Sequence, residues 1–131
     1  MKLDPTYLRT PSRKVTDIEA VRKLYPEASK LMRQNKGIGL AANQVGHNLR
    51  WFVWQHGMVI NPAILSREGS VVSKAEGCLS FPGKRKNISR AKSIKVRYTD
   101  ENGNKKEKDL TGLPSIVFQH ETDHLDGKCI F

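Results

Sequence analysis

The chain has 131 residues, 27% of them charged, a formal net charge of +10 and two cysteines, Cys78 and Cys129. That length is one domain, in which folding buries roughly two-thirds of the unfolded surface, enough for a single core. No low-complexity tract argues for disorder, no stretch is long enough to span a bilayer, and the start MKLDPTYLRT lacks an apolar signal segment, so a cytoplasmic chain with unpaired thiols is expected.

Residues 1–14 contain Pro5 and Pro11 and no clear period, and read as an extended arm. Thr16-x-x-Glu19 has the form of a capping box. Val21, Leu24, Tyr25, Ala28, Leu31 and Met32 then fall at helical spacing, which predicts a first helix over residues 17–36, kinked or restarted at Pro26. GIGLAANQVG follows (37–46). Three glycines in ten residues imply tight turns or close backbone approach. The stretch lacks the Gly-Lys-Ser/Thr of a P-loop and the element order of a dinucleotide fingerprint, so phosphate binding explains it poorly.

RWFVW (50–54) and MVINP (58–62) predict two short strands. SREGSVVSKAEG (66–77) suggests a turn and then an irregular strand, and EGCLSFPG (76–83) a loop or bent strand. SIKVRYTD and KKEKDL flank Asn102-Gly103, a strong hairpin signal. The last element is a helix, with Thr111 or Ser115 as its cap, Gly127 as its stop, and Leu113, Ile116, Val117, His120, Glu121 and His124 on one broad face. The expected architecture is therefore α+β: short antiparallel β-strands packed around a central metal-binding helix, plus an N-terminal helix, in one domain over residues 1–131.

The basic runs KRKNISRAKSIKVR (84–97) and NKKEK (104–108) are compatible with a polyanion such as ribosomal RNA. No aromatic residues interleave for base stacking, so a solvated surface is the plainer reading.

The chemistry sits near the end. His120-Glu121-Thr122-Asp123-His124 is an H-E-x-x-H pattern: two histidines one helical turn apart, able to reach one ion, with a glutamate as general base. A hydrolytic metal takes three protein ligands and leaves a position open. Only seven residues follow His124, so the third ligand has to be sought elsewhere. Asp126 and Cys129 would require the chain to fold back at once, and His47 and His56 occupy loop or strand positions. Cys78 is the best candidate, because Gly77 lets the backbone come close and Leu79 would bring its N–H beside the ion.

GIGLAANQ, EGCLS and QHETDHLDG, in that order, resemble the three signature motifs of the peptide deformylases, and the resemblance spans roughly residues 15–130. It implies that Cys78, His120 and His124 hold one divalent metal. Iron(II) is the usual native ion, and zinc, nickel or cobalt are also acceptable to a mixed sulfur and nitrogen set. It implies hydrolytic removal of the formyl group from the N-terminal methionine of new polypeptides, with Glu121 handling protons. The Gln44 amide and the Leu79 N–H would stabilise the oxyanion. Gly39 would contact the substrate backbone, Ile38, Ile116 and His120 would line the methionine pocket, and Arg85 and Arg90 would support the EGCLS loop, with Arg90 paired to Glu76.

The implied partners are N-formyl-Met nascent peptides, with weak ribosome contact through the basic surface, no membrane, and a monomeric chain. Many deformylases continue into a C-terminal helix, whereas this sequence stops at Phe131 and resembles the minimal, phage-carried forms. Two other classes share part of the pattern: a small metallopeptidase, and a basic RNA-binding module with a structural metal. The intact Glu121 argues against the latter, since a structural site has no need of a base.

Overall fold

A computed structural model describes residues 1–131. The N-terminal arm makes isolated parallel bridges, Asp4 to Val45 and Arg13 to Leu49, before two short helices, α1 (Ile18–Arg22) and α2 (Tyr25–Gln34). The break between them falls where Pro26 requires it, since proline enters the first turn of α2 without costing that helix a hydrogen bond. The cap differs from expectation by one residue. Asp17, not Thr16, caps α1, its carboxylate accepting from the Ala20 N–H at 3.0 Å. A carboxylate competes well for this place, because it also answers the positive end of the helix dipole.

Seven strands follow: β1 (Gly39–Ala41), β2 (Trp51–Trp54), β3 (Gly57–Glu68), β4 (Val71–Glu76), β5 (Lys86–Arg90), β6 (Ser93–Thr99) and β7 (Lys105–Thr111). They form an antiparallel five-stranded sheet of order β1-β2-β3-β6-β7 and a separate β4-β5 ribbon. The two predicted hairpins are present. The strand at 58–62 is longer than expected, running on to Glu68, because a bulge after Ile60 lets it pair with β6 beyond Pro62. Asn61 sits in that bulge at φ 53, and its side-chain amide bonds both the N–H and the carbonyl of Val15, tying the arm to the sheet. β5 was not anticipated: its residues, KNISR, are polar and mostly exposed and carry no apolar alternation.

The last helix, α3 (Leu113–Leu125), crosses the sheet. It starts without a side-chain cap, because Gly112 holds the cap position, Thr111 ends β7 and Ser115 lies inside the helix. Val117, Phe118 and Leu125 are buried, and so are Ser115, Gln119, Glu121, Thr122 and His124. A helix buried on most of its circumference is a core element rather than a surface one. Phe118 is its keystone, meeting Phe52, Trp54 and Tyr98 at ring-centroid distances of 5.2, 5.7 and 5.9 Å. No helix is long and apolar enough to cross a membrane.

Phe118→Ala should lower unfolding free energy by about 3–5 kcal/mol, through lost burial plus an unfilled cavity. Urea unfolding followed by tryptophan fluorescence measures this, and a loss under about 1 kcal/mol would mean that α3 is not held by this cluster.

Candidate metal centre

Three segments distant in sequence meet beside α3. The first is the turn of Ala42–Gln44 after β1, the second the loop from Glu76 to Ser80 that leaves β4, and the third the middle of α3. Gln44 is buried; its amide oxygen accepts from the Ala41 N–H at 2.9 Å, which aims the amide nitrogen at Cys78 Sγ (3.3 Å) and Ser80 Oγ (3.2 Å). Asn43, which the sequence reading passed over, donates to the His124 carbonyl and so locks this turn onto α3.

Cys78 Sγ lies 3.4 Å from His124 Nε2. His120, one turn earlier, has its Nδ1 bonded to Glu76 Oε1 at 2.8 Å, which leaves Nε2 for the side of Cys78. The metal-capable atoms form two overlapping sets, each within 4.8 Å: His120, Glu121 and His124, and Cys78, His124 and Cys129. The other ligand candidates have different roles. His47 and His56 pack edge-on against Trp51 and Trp54, and Asp126 pairs with Arg50 at 2.8 Å. Cys129, discounted from sequence, is the exception.

The donors fit a divalent metal. Glu121 Oε1 is buried without a hydrogen-bond partner beside these donors, which is costly unless a ligand answers it. A thiol with two imidazoles is also a donor set suited to first-row metals.

Glu76 organises the loop. It accepts from Arg90 Nε at 3.0 Å and Nη2 at 2.8 Å, and Arg90 Nη1 reaches Asp123 at 2.5 Å. This is the Glu76–Arg90 pair anticipated from the motifs. Arg85 lies against Gly77 so closely that any side chain there would strike its guanidinium. Gly39 is required for a similar reason: a Cβ would strike the carboxylate of Glu121. The cleft above has a volume of about 570 Å³. Ile38, Gly39, Leu79, Arg85 and Ile116 line it together with Gln44, Cys78, His120 and Glu121.

The electrostatics follow from burial. Burial pushes the Glu121 carboxyl up to about 7, only partly offset by His120. Burial raises Glu76 too, but hydrogen bonds from His120, Arg90 and Ser73 outweigh it and hold the carboxyl at about 2. Burial and the nearby cations His120 and Arg90 keep His124 at about 3, so it is neutral and able to ligate. Burial pulls His120 down, yet contacts with Cys78, Glu121 and Glu76 lift it to about 10, so metal uptake here would release a proton.

Fold and donor set define a class: an α+β protein in which a helix-borne His-Glu-x-x-His pair faces a buried thiol at the floor of a cleft. The family model for polypeptide deformylase matches residues 1–131, and the chain belongs to that family. It is 42% identical to the peptide deformylase of Thermotoga neapolitana over 132 residues, covering 97% of this chain and 80% of that one. It is 41% identical to the peptide deformylase of Prochlorococcus marinus (strain NATL1A) over 132 residues, 93% of this chain, and spans 65% of that protein's length. Among solved structures, peptide deformylase from Thermotoga maritima superposes with a TM-score of 0.92 at 39% identity, covering 98% and 93% of the two chains. The PDF of the Vibrio parahaemolyticus bacteriophage VP16T, in complex with actinonin, does so at 0.92 and 36% identity, covering 99% and 100%.

The depressed Glu76 value has a consequence for stability. As pH falls, the unfolded carboxyl takes up its proton near 4.5, before the folded one does at about 2. The stabilisation is therefore present above about 4.5 and drains away between there and about 2. Glu76→Gln should cost about 3 kcal/mol at neutral pH by removing a buried partner of Arg90. It should also make this acid limb shallower, leaving the part that the depressed His124 contributes between about 6.5 and 3. Urea midpoints of the metal-free protein between pH 2 and 7 measure both, and an unchanged limb in the variant would remove Glu76 as its source.

Proposed function

We propose that residues 1–131 act as one catalytic domain, a metal-dependent peptide deformylase that releases formate from N-formyl-Met nascent peptides. The observation that carries the reading is the Glu121 carboxylate, buried with Oε1 unpartnered beside thiol and imidazole donors under a cleft. Cys78, His120 and His124 would hold one divalent ion, iron(II) natively, with zinc, nickel or cobalt accepted by the same donors. Such an ion would supply Lewis acidity toward a bound water and the formyl group.

The remaining steps belong to the chain. Glu121 takes the proton of the attacking water and passes it to the departing amine, and burial, which raises its carboxyl, favours its holding that proton between the two transfers. As the formyl carbon becomes tetrahedral, the Gln44 amide nitrogen and the Leu79 N–H donate to its oxyanion. Glu76 fixes the His120 ring through Nδ1. Gly39 leaves the space beside the Glu121 carboxylate free of a side chain, and exclusion of an acetyl methyl is an expectation for the peptide comparison to test. Ile38 and Ile116 offer apolar surface to the methionine side chain, and Arg85 supports the loop from Gly77. The charge of +10 is compatible with weak ribosome contact, and the chain would act as a monomer.

Matched formylated, acetylated and blocked Met peptides test the reading. Formate should be released from the formylated peptide, with far slower attack on acetyl and internal amide bonds. Replacing methionine by glycine should reduce kcat/KM by about 1.5–3 kcal/mol if the whole side chain is buried. Efficient internal cleavage without formate would leave a peptidase instead. In variants, Cys78→Ala should lose the metal while Cys129→Ala keeps it. Glu121→Gln should keep the metal and lose most turnover, since an amide cannot accept the proton. Near-normal turnover in Glu121→Gln would remove that residue from the mechanism.

A further inference from the structure

Cys129 was set aside in the sequence because the chain after α3 would have to reverse at once. It does reverse. Gly127 adopts φ 76, the Gly127 N–H donates to the His124 carbonyl at 2.9 Å, and the Lys128 N–H donates to the Asp123 carbonyl at 2.9 Å. This is the left-handed helix ending that glycine permits. A side chain at Gly127 would also strike the backbone of Arg9, Thr10 and Pro11.

The reversed tail is then tethered over the EGCLS loop. Arg9 donates to the Phe131 carbonyl at 3.1 Å, and the Phe131 ring meets Phe81 edge-on at 5.7 Å. Phe81 in turn closes the turn that begins at Cys78, its N–H donating to the Cys78 carbonyl at 2.9 Å. The outcome brings the chain's only two thiols together. Cys78 Sγ, Cys129 Sγ and a ring nitrogen of His124 lie within 4.8 Å of one another. The two sulfurs differ in access: Cys78 is among the residues lining the cleft, whereas Cys129 is partly exposed and is not.

We propose that Cys78 and Cys129 are a peroxide-reactive thiol pair, in which Cys129 converts oxidation of Cys78 into a reversible disulfide. A small oxidant, hydrogen peroxide, enters through the cleft. The Cys78 sulfur attacks one peroxide oxygen; an S–O bond forms, the O–O bond breaks, and water leaves with the thiol proton, giving Cys78 sulfenic acid. The Cys129 sulfur then attacks the Cys78 sulfur; an S–S bond forms, the S–O bond breaks, and a second water leaves. Two thiols and one peroxide thus become one disulfide and two waters: the sulfurs give up two electrons and the peroxide oxygens receive them.

The two sulfurs already lie within 4.8 Å, so closing to the bonded distance of about 2.0 Å needs a shift of no more than a few ångströms. The disulfide removes Cys78 as a donor to the metal-capable cluster, and a dithiol reductant returns it. Without a neighbouring thiol, further peroxide carries a sulfenic acid on to sulfinic and sulfonic acids, which such a reductant does not reverse. The proposal does not depend on the substrate of the cleft.

The test is peroxide treatment of the zinc-loaded protein, zinc having no redox chemistry of its own, followed by alkylation, digestion without reductant and mass spectrometry, with released zinc read by a chromogenic chelator. The expected result is a linked peptide pair containing Cys78 and Cys129, lighter by two hydrogens, with metal released in step. Dithiothreitol should reverse the linkage, and the reduced protein should take up metal again. In Cys129→Ala and Cys129→Ser the link should be lost, Cys78 should accumulate as sulfinic and sulfonic acid, and metal uptake should stay lost after dithiothreitol. Sulfonic acid at Cys78 of the intact chain without linkage, a link between two chains, or equal recovery in the variants would each overturn the proposal.

Discussion

Glu76 is almost fully buried, and a carboxylate in such a place stays ionised only when it is paired and hydrogen-bonded. Here it is both. Arg90 reaches it through two nitrogens from the neighbouring strand of the ribbon, and His120 reaches it from α3. One side chain therefore joins the β4–β5 ribbon to the helix that carries both histidines. The same contact orients the His120 ring, because Nδ1 is engaged and Nε2 is left for the donor cluster. Arg90 extends the bond to Asp123, on the next turn of α3. The Cys78 loop begins where this network ends, so the sulfur comes to the histidines through an ion pair rather than through apolar packing.

The helix supplies the opposing constraint. Its apolar side is pinned to the sheet through Phe118, while its other buried residues are polar and need partners. Gln119 finds them in the N–H and carbonyl of Ala91 and in Ser115, and Asn43 answers the His124 carbonyl. Glu121 and His124 keep an atom each without a partner. A buried carboxylate oxygen left unpartnered beside the donor cluster fits a prepared site, where local stability is given up for chemistry. The two glycines beside it serve the same end. Gly39 yields space to the Glu121 carboxylate, and Gly77 yields it to the Arg85 guanidinium.

Much of this was written locally. The His120/His124 spacing, the restart at Pro26, the Asn102-Gly103 hairpin and the Gly127 stop depend on helix pitch, proline's fixed φ and glycine's positive φ, which belong to single residues and short windows. The three motifs likewise carried the family and Cys78 as a residue of interest. Elements whose formation depends on a distant partner left no such trace. The polar strand β5 exists because β4 lies beside it, and β3 continues through a bulge because β6 accepts it. Asp17 displaced Thr16 as a cap for a reason of detailed geometry that spacing does not encode.

The sequence by itself determined the α+β plan, the helix bearing the histidines and the residue types able to hold a metal, because period and composition record what each segment buries. Tertiary structure alone decided which donors meet. Glu76 reaches His120 across 44 residues, Gln44 reaches Cys78 across 34, and Cys129 comes to Cys78 after a reversal at Gly127. Distances between segments are set by how sheet, ribbon and helix pack as whole bodies, and no local pattern in the chain specifies that packing.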